Sequence, residues 1–226
     1  MIEAFVIVEG ATEEAFVNEL LYPHLFPLGI WPRPIQTGVR RRRNPARGGS
    51  ITCYRALRND IWRVLKQHGR RGVQVTTMVD LYALPRDVPG FTTRDQTPDS
   101  YHRVQQVEAA LERDIADHRF HPYVQLHEFE ALLFADIRKL AKYYPAATTA
   151  VDALAREVTG FPGPEWIDDG EQTAPSQRIR RRVPGYDKVV AGPLTAIDIG
   201  LHALRHRCPH FGRWVDWLEG LAATEA

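Results

Sequence analysis

Three times along this 226-residue chain a short apolar run closes on an acid and passes into helix-forming sequence. The first is Phe5-Val6-Ile7-Val8-Glu9-Gly10-Ala11-Thr12-Glu13-Glu14. The second runs from Val73 to Asp80, and the third is Tyr123-Val124-Gln125-Leu126 followed by His127-Glu128-Phe129-Glu130. Apolar runs rich in β-branched residues read as strands of a buried parallel sheet. Open α/β sheets take their ligands at the carboxyl ends of such strands. If the first two strands are neighbours, Glu9 and Asp80 converge at one sheet edge. Two carboxylates placed together repel, and Mg²⁺ or Mn²⁺, which prefer oxygen ligands, would join them. Glu13 stands in the first turn of a helix that Thr12 is expected to cap, and Glu128 or Glu130 opens the third helix; spacing alone does not choose among these additional ligands. The ordinary readings are an acid complementing a helix dipole and an Asp forming a turn. Acids at two strand ends are harder to assign that way than one.

Cations are grouped as well. Arg40, Arg41, Arg42 and Arg43, with Arg47 close behind, form a segment almost free of apolar residues. Such a run carries charge for a phosphate backbone and no sequence preference, or is simply a solvated loop. A second group, Arg178, Arg180 and Arg181, falls on a short helix that Ser176 is expected to cap, and Lys188 follows it. A lysine facing a phosphate would stabilise charge building on the scissile group; on a solvated helix face it would do nothing special. Together these residues suit binding and hydrolysis of nucleic acid, with Glu9, Asp80, Glu13 and Lys188 as catalytic candidates and Glu9, Asp80, Glu128 and Glu130 as metal ligands.

The elements that must position them form an α/β pattern of about four mostly parallel strands flanked by helices. The first helix is expected from about Glu13 to Leu21, ending at Pro23. Gly29 to Thr37, carrying Pro32 and Pro34, reads as an edge strand. A helix from about Ser50 to His68 would bury Cys53, and a further helix runs from Ser100 to His118. The breaker cluster Gly160-Phe161-Pro162-Gly163-Pro164 marks a change of character, so residues 1–145 read as the core and 146–226 as a mainly helical C-terminal lobe packed on it. Hydrophobic content of 44% supports one sizeable core, and 29 basic against 28 acidic side chains leaves local clustering to decide any nucleic-acid role. Cys53 and Cys208 have no metal-type spacing, and no secretory signal or spanning helix is evident, which points to a reducing, cytoplasmic setting without membrane contact.

The Val8-Glu9-Gly10-x-Thr12-Glu13 turn, the strand closed by Asp80, the segment Leu126-His127-Glu128-Phe129-Glu130-Ala131-Leu132-Leu133-Phe134 and Thr173-Ala174-Pro175-Ser176 resemble the DUF4276 family of bacterial proteins. The resemblance covers nearly the whole chain. It implies a Toprim-like, Rossmann-like fold, similar to the nuclease domain of overcoming-lysogenization-defect (OLD) proteins. Toprim domains place a glutamate after the first strand, matched by Glu9, and an Asp-x-Asp pair after a later one. Asp80 matches the first aspartate of that pair, and Tyr82 stands where the second belongs. The resemblance implies a Mg²⁺- or Mn²⁺-dependent nuclease with an ATPase partner, in phage defence or DNA processing. The Tyr82 departure leaves open a non-catalytic nucleotide- or nucleic-acid-binding subunit of such an ATPase.

Overall fold

The computed structural model describes residues 1–38, 51–68, 72–167, 170 and 172–225. Strands β1 (Ile2–Val8) and β3 (Val73–Asp80) lie side by side and run the same way, with Val8 opposite Met78. On the other side of β1, β2 (Ile30–Gln36) pairs in parallel, and its Pro32 and Pro34 stand at the open edge of the sheet. A proline cannot donate to a ladder, so only an edge strand tolerates two. The short β4 (Phe120–His121) pairs with Val75 and Thr76 of β3, and β5 (Val124–Gln125) pairs with Val79 and Asp80. The result is a five-stranded sheet in order β2-β1-β3-β4, with β5 beside the end of β3. Every pairing is parallel. β4 is the strand beyond the four expected; two residues are too few to show a periodicity.

The two-residue period of β1 divides its side chains between two cores. Phe5 and Ile7 face helices α3 (Tyr54–Gln67) and α4 (Ser100–Ile115), meeting Leu57, Ile61, Val104, Val107 and Leu111. Ala4, Val6 and Val8 face the opposite layer. That layer contains α1 (Ala11–Phe16) and α2 (Tyr22–Leu25), the short α5 (Glu130–Leu133), α6 (Thr148–Glu157), α7 (Pro175–Arg182), α8 (Lys188–Ile199), α9 (Leu201–Arg207) and α10 (Pro209–Gly220). Its largest side chains are drawn from the start, middle and end of the chain: Phe16 meets Phe129 and Phe211 edge-on at 5.4 and 5.8 Å. The Trp214 ring stacks on Tyr123 at 4.4 Å and donates its indole N–H to Thr76 Oγ1 of β3 at 3.0 Å. The C-terminal helices and the first strand thus bury one another.

Three local expectations are corrected. The first helix does not stop at Pro23. A π-helical turn, Val17–Leu21, lies between α1 and α2, and Pro23 falls in the first turn of α2, where its missing N–H costs little. The cap of α1 is Gly10 rather than Thr12, because the Glu13 carboxylate reaches back to accept the Gly10 N–H at 2.9 Å. Cys53 is half-buried at the N-cap of α3 instead of inside its apolar face.

Between β3 and α4 the chain turns at Gly90, whose φ is +77°. A Cβ there would lie 2.5 Å from Gln106 O and 2.9 Å from Ala110 Cβ. Gly90→Ala therefore combines left-handed strain with a backbone clash, at a cost of about 2 kcal/mol or more. Thermal unfolding should move down by roughly 4–8 °C. A shift smaller than about 1 °C would show that the loop gives way freely.

Candidate functional site

β1 and β3 are adjacent and in register, so their carboxyl ends deliver Glu9 and Asp80 to the same edge of the sheet. Asp80 is 5% exposed. Glu13, also buried, faces the same place from the first turn of α1, because the Gly10 cap turns the helix start back over β1. α5 contributes Glu130, which is fully buried. The fifth member comes from far along the chain. Lys188 opens α8, and its Nζ lies 3.2 Å from Glu130 Oε2 and 3.6 Å from Asp80 Oδ2.

Two contacts fix that lysine. Asp187 caps α8 by accepting from the N–H groups of Val189 and Val190, and its own N–H donates to Tyr144 Oη at 2.8 Å. A cation in the first turn opposes the helix dipole. The acids in front of Lys188 offset this. α8 can approach α1 and α5 closely because Gly192 lacks a side chain: a Cβ there would lie 3.3 Å from Phe129 at the start of α5 and 3.6 Å from Thr12 of α1.

The electrostatics follow from crowding four carboxylates around one ammonium in a buried place. Burial, then the Glu13 charge, push the Glu9 carboxyl up to about 7, with Lys188 and the Asp80 backbone pulling the other way. Burial also lifts Glu130 to about 7 against the attraction of Lys188. Asp80 is driven well above the usual aspartate range by burial, opposed by Lys188 and reinforced by Glu13, Glu9 and Glu130. For Lys188 burial opposes the charge, but Asp80, Glu130, Glu13 and Glu128 outweigh it and hold the ammonium above the usual lysine range. Among the described residues, Glu9 Oε2, Asp80 Oδ1 and both oxygens of Glu130 are buried without a hydrogen bond, Glu130 Oε2 being met only by the Lys188 ion pair. The Tyr186 hydroxyl is another such group; burial and the Glu130 charge make it a weaker acid than an ordinary tyrosine.

Buried oxygens in this state need a proton or a cation. Their chemistry, carboxylate only, fits a hard divalent ion such as Mg²⁺ or Mn²⁺. As the side chains stand, no three acids, histidines or cysteines among the described residues close around one point, and Lys188 is the cation they share. A pH dependence follows. Folded Glu9 and Glu130 favour the protonated form, so their contribution to stability is complete below about pH 4.5 and is lost as pH rises through about 7. Thermal melts of the metal-free protein should therefore show the contribution of these groups falling across that window. The fall should be smaller in Glu9→Gln, and an equal fall in both proteins would count against this assignment.

Other candidates are placed differently. Both oxygens of Glu128 are taken by Ser176, whose N–H donates at 2.5 Å and whose hydroxyl donates at 2.9 Å. Ser176 lies inside α7, whose N-cap is Ala174, so it ties the helix to Glu128 rather than capping it. Arg178 donates to Thr173 O and to Glu157, and lies over the Phe161 ring. Arg180 and Arg181 are exposed on α7. Arg40, Arg41, Arg42 and Arg43 lie outside the described residues.

Two further residues stand near the site: Tyr186, which the sequence does not single out, and His127, which reads there as a phosphate donor, a group supporting the ligands or a satisfied structural histidine. Tyr186 stands two residues before Lys188 and looks like any loop tyrosine. His127 has φ +63°, unusual for a side-chain-bearing residue. Its Nε2 donates to Glu165 O at 2.9 Å and its Nδ1 accepts from Tyr82 Oη at 3.0 Å in the neutral ring, while Tyr82 N–H donates to His127 O at 3.1 Å. His127 thereby ties the turn after Asp80 to the segment before Glu130. No described helix is long and apolar enough to cross a membrane.

The sequence model of DUF4276, a domain of unknown function, matches residues 8–219. Among solved structures, the C-terminal region of the Xanthomonas campestris pv. campestris OLD protein aligns with a TM-score of 0.44 at 16% identity, over 98% of this chain and 96% of that one. The C-terminal region of the Burkholderia pseudomallei OLD protein aligns with a TM-score of 0.44 at 16% identity, over 98% and 99% of the two chains. No curated protein matches the sequence.

Proposed function

The chain belongs to the DUF4276 family, and we propose that it is a divalent-metal-dependent phosphodiesterase that cleaves nucleic acid. The observation that carries this reading is the set of buried, unpaired carboxylate oxygens of Glu9 and Asp80 at the ends of adjacent parallel strands, with Lys188 beside them. Glu9 and Asp80 would hold Mg²⁺ or Mn²⁺, with Glu13 and Glu130 adding negative charge around it. A divalent ion there would supply Lewis acidity toward a phosphoryl oxygen and a water of lowered pKa.

The remaining work belongs to the chain. The Lys188 side chain is 29% exposed, and its ammonium would stabilise the charge that builds on a phosphate at the mouth of the site. Glu13 holds the Gly10 turn and so the direction of Glu9. The exposed Arg180 and Arg181 would hold a sugar-phosphate backbone without reading bases. Arg178, committed to Glu157, would shape that helix. The same reading places an ATPase as partner and a bacterial cytoplasm as setting.

The test is incubation of the purified chain with single- and double-stranded DNA and RNA, with Mg²⁺, Mn²⁺ or a chelator. Cleavage that requires the ion and disappears in both Glu9→Gln and Asp80→Asn is expected. The second reading, a non-catalytic nucleic-acid-binding subunit, draws on Tyr82, whose phenol is bonded to His127 and offers no carboxylate. Ion-independent binding without cleavage, alone and with an ATPase, would favour it.

A further inference from the structure

The acids of the site divide into two sets by what their oxygens touch, and the division says how many ions the site takes. Asp80 belongs to both. Its Oδ2 faces the Lys188 ammonium at 3.6 Å, whereas its Oδ1 is buried and has no hydrogen-bond partner among the described residues. Glu130, fully buried, lies with Oε2 3.2 Å from the same ammonium, while its Oε1, like Asp80 Oδ1, has no hydrogen-bond partner among the described residues. Glu9 Oε2 has no partner. One set, Asp80 Oδ2 with Glu130 Oε2, is already gathered around a cation. The other, Asp80 Oδ1 with Glu9, is not.

Two-metal hydrolytic sites hold their ions about 3.5–4 Å apart. At that spacing a carboxylate commonly bridges the ions, one oxygen to each. Asp80 is placed as such a bridge, but one of its oxygens is engaged by the ammonium. Lys188 is not casually there: the Asp187 cap and the Tyr144 contact fix the start of α8, and Gly192 lets that helix press against α1 and α5. An ammonium also costs less to dehydrate than a second small divalent ion, which gives up its waters reluctantly.

We propose that the site takes one divalent cation, on Glu9 and Asp80, and that the Lys188 ammonium, paired with Asp80 and Glu130, holds the place of a second. This rests on the metal-dependent reading above and adds stoichiometry to it. Glu130 is then the partner of Lys188 rather than a ligand in the native protein, and becomes a ligand only when the lysine is removed.

The experiment is Mn²⁺ titration of the full chain, following free Mn²⁺ by electron paramagnetic resonance, with thermal melts of each protein as a folding control. Wild type should bind one ion per chain. Lys188→Met should bind two, Lys188→Met/Glu130→Gln one again, and Lys188→Arg, which keeps the cation, one. Two ions on wild type, or one ion on a folded Lys188→Met with unchanged affinity, would overturn the inference and leave the metal-dependent reading standing. If Lys188→Met does not fold, two ions on Lys188→Arg would overturn it and one would support it. No Mn²⁺ on wild type would sink both readings, so the two failures are told apart.

Discussion

Asp80→Asn should lower metal-dependent cleavage by about a thousandfold or more and at the same time raise the melting temperature of the metal-free protein. The loss follows because a bound ion supplies several kcal/mol of transition-state charge stabilisation, and each 1.4 kcal/mol is roughly tenfold in rate. The gain follows from burial. Asp80 is buried among Glu9, Glu13 and Glu130, all of which disfavour its charge. Removing that charge leaves Lys188 with Glu130 as its partner at 3.2 Å, so no orphaned ammonium offsets the relief. Relief on the order of 1 kcal/mol raises the melting temperature by about 2–4 °C in a chain of this size. Melts in chelator check the stability, and initial rates with Mn²⁺ check the activity. A variant less stable than wild type in chelator would mean that Asp80 stabilises the fold instead of burdening it.

The largest stability loss is expected at a different acid. Glu165 is fully buried in the turn before α7 and collects three donors: the Tyr101 hydroxyl of α4 at 2.5 Å, and the backbone N–H groups of His210 and Phe211 at 3.0 Å each. Those N–H groups belong to the first turn of α10, which has no partners within its own helix for them. One carboxylate therefore caps α10 from outside and joins it to α4. Glu165→Leu leaves two buried backbone N–H groups and the part-buried Tyr101 hydroxyl unpaired, a cost of roughly 3–5 kcal/mol at about 1–3 kcal/mol per group less what relaxation recovers. The melting temperature should fall on the order of 10 °C. Glu165→Gln keeps one acceptor oxygen and should fall between wild type and Glu165→Leu; equal stability of all three proteins would contradict the capping role.

The parts of this architecture legible in the sequence are those with a local cause. Buried parallel strands need apolar runs on both faces, so β1 and β3 stood out, and an acid closing such a run is visible without a structure. The adjacency of β1 and β3, which brings Glu9 and Asp80 together, is a non-local pairing that sequence reading could state only as a condition. Pro32 and Pro34 marked β2 as an edge. What spacing could not decide was set by distant contacts. Glu128 and Glu130 look alike in sequence, and only Ser176, brought in by α7, commits one to a structural bond while Lys188 from α8 meets the other. Gly10 became the cap because Glu13 reaches back to it, a choice between two cap-forming residues two positions apart that local propensity does not make. The π-helical turn that carries the first helix past Pro23 has no signal of its own in composition.

The central claim is that Glu9 and Asp80 form a cation site at the ends of β1 and β3. Anomalous diffraction from crystals of the full chain soaked in Mn²⁺ tests it most directly, with Asp80→Asn crystals in parallel. One anomalous peak touching both carboxylates, absent from Asp80→Asn, is the predicted result. No peak at those strand ends while Mn²⁺ binds elsewhere, or a peak unchanged by Asp80→Asn, would contradict it.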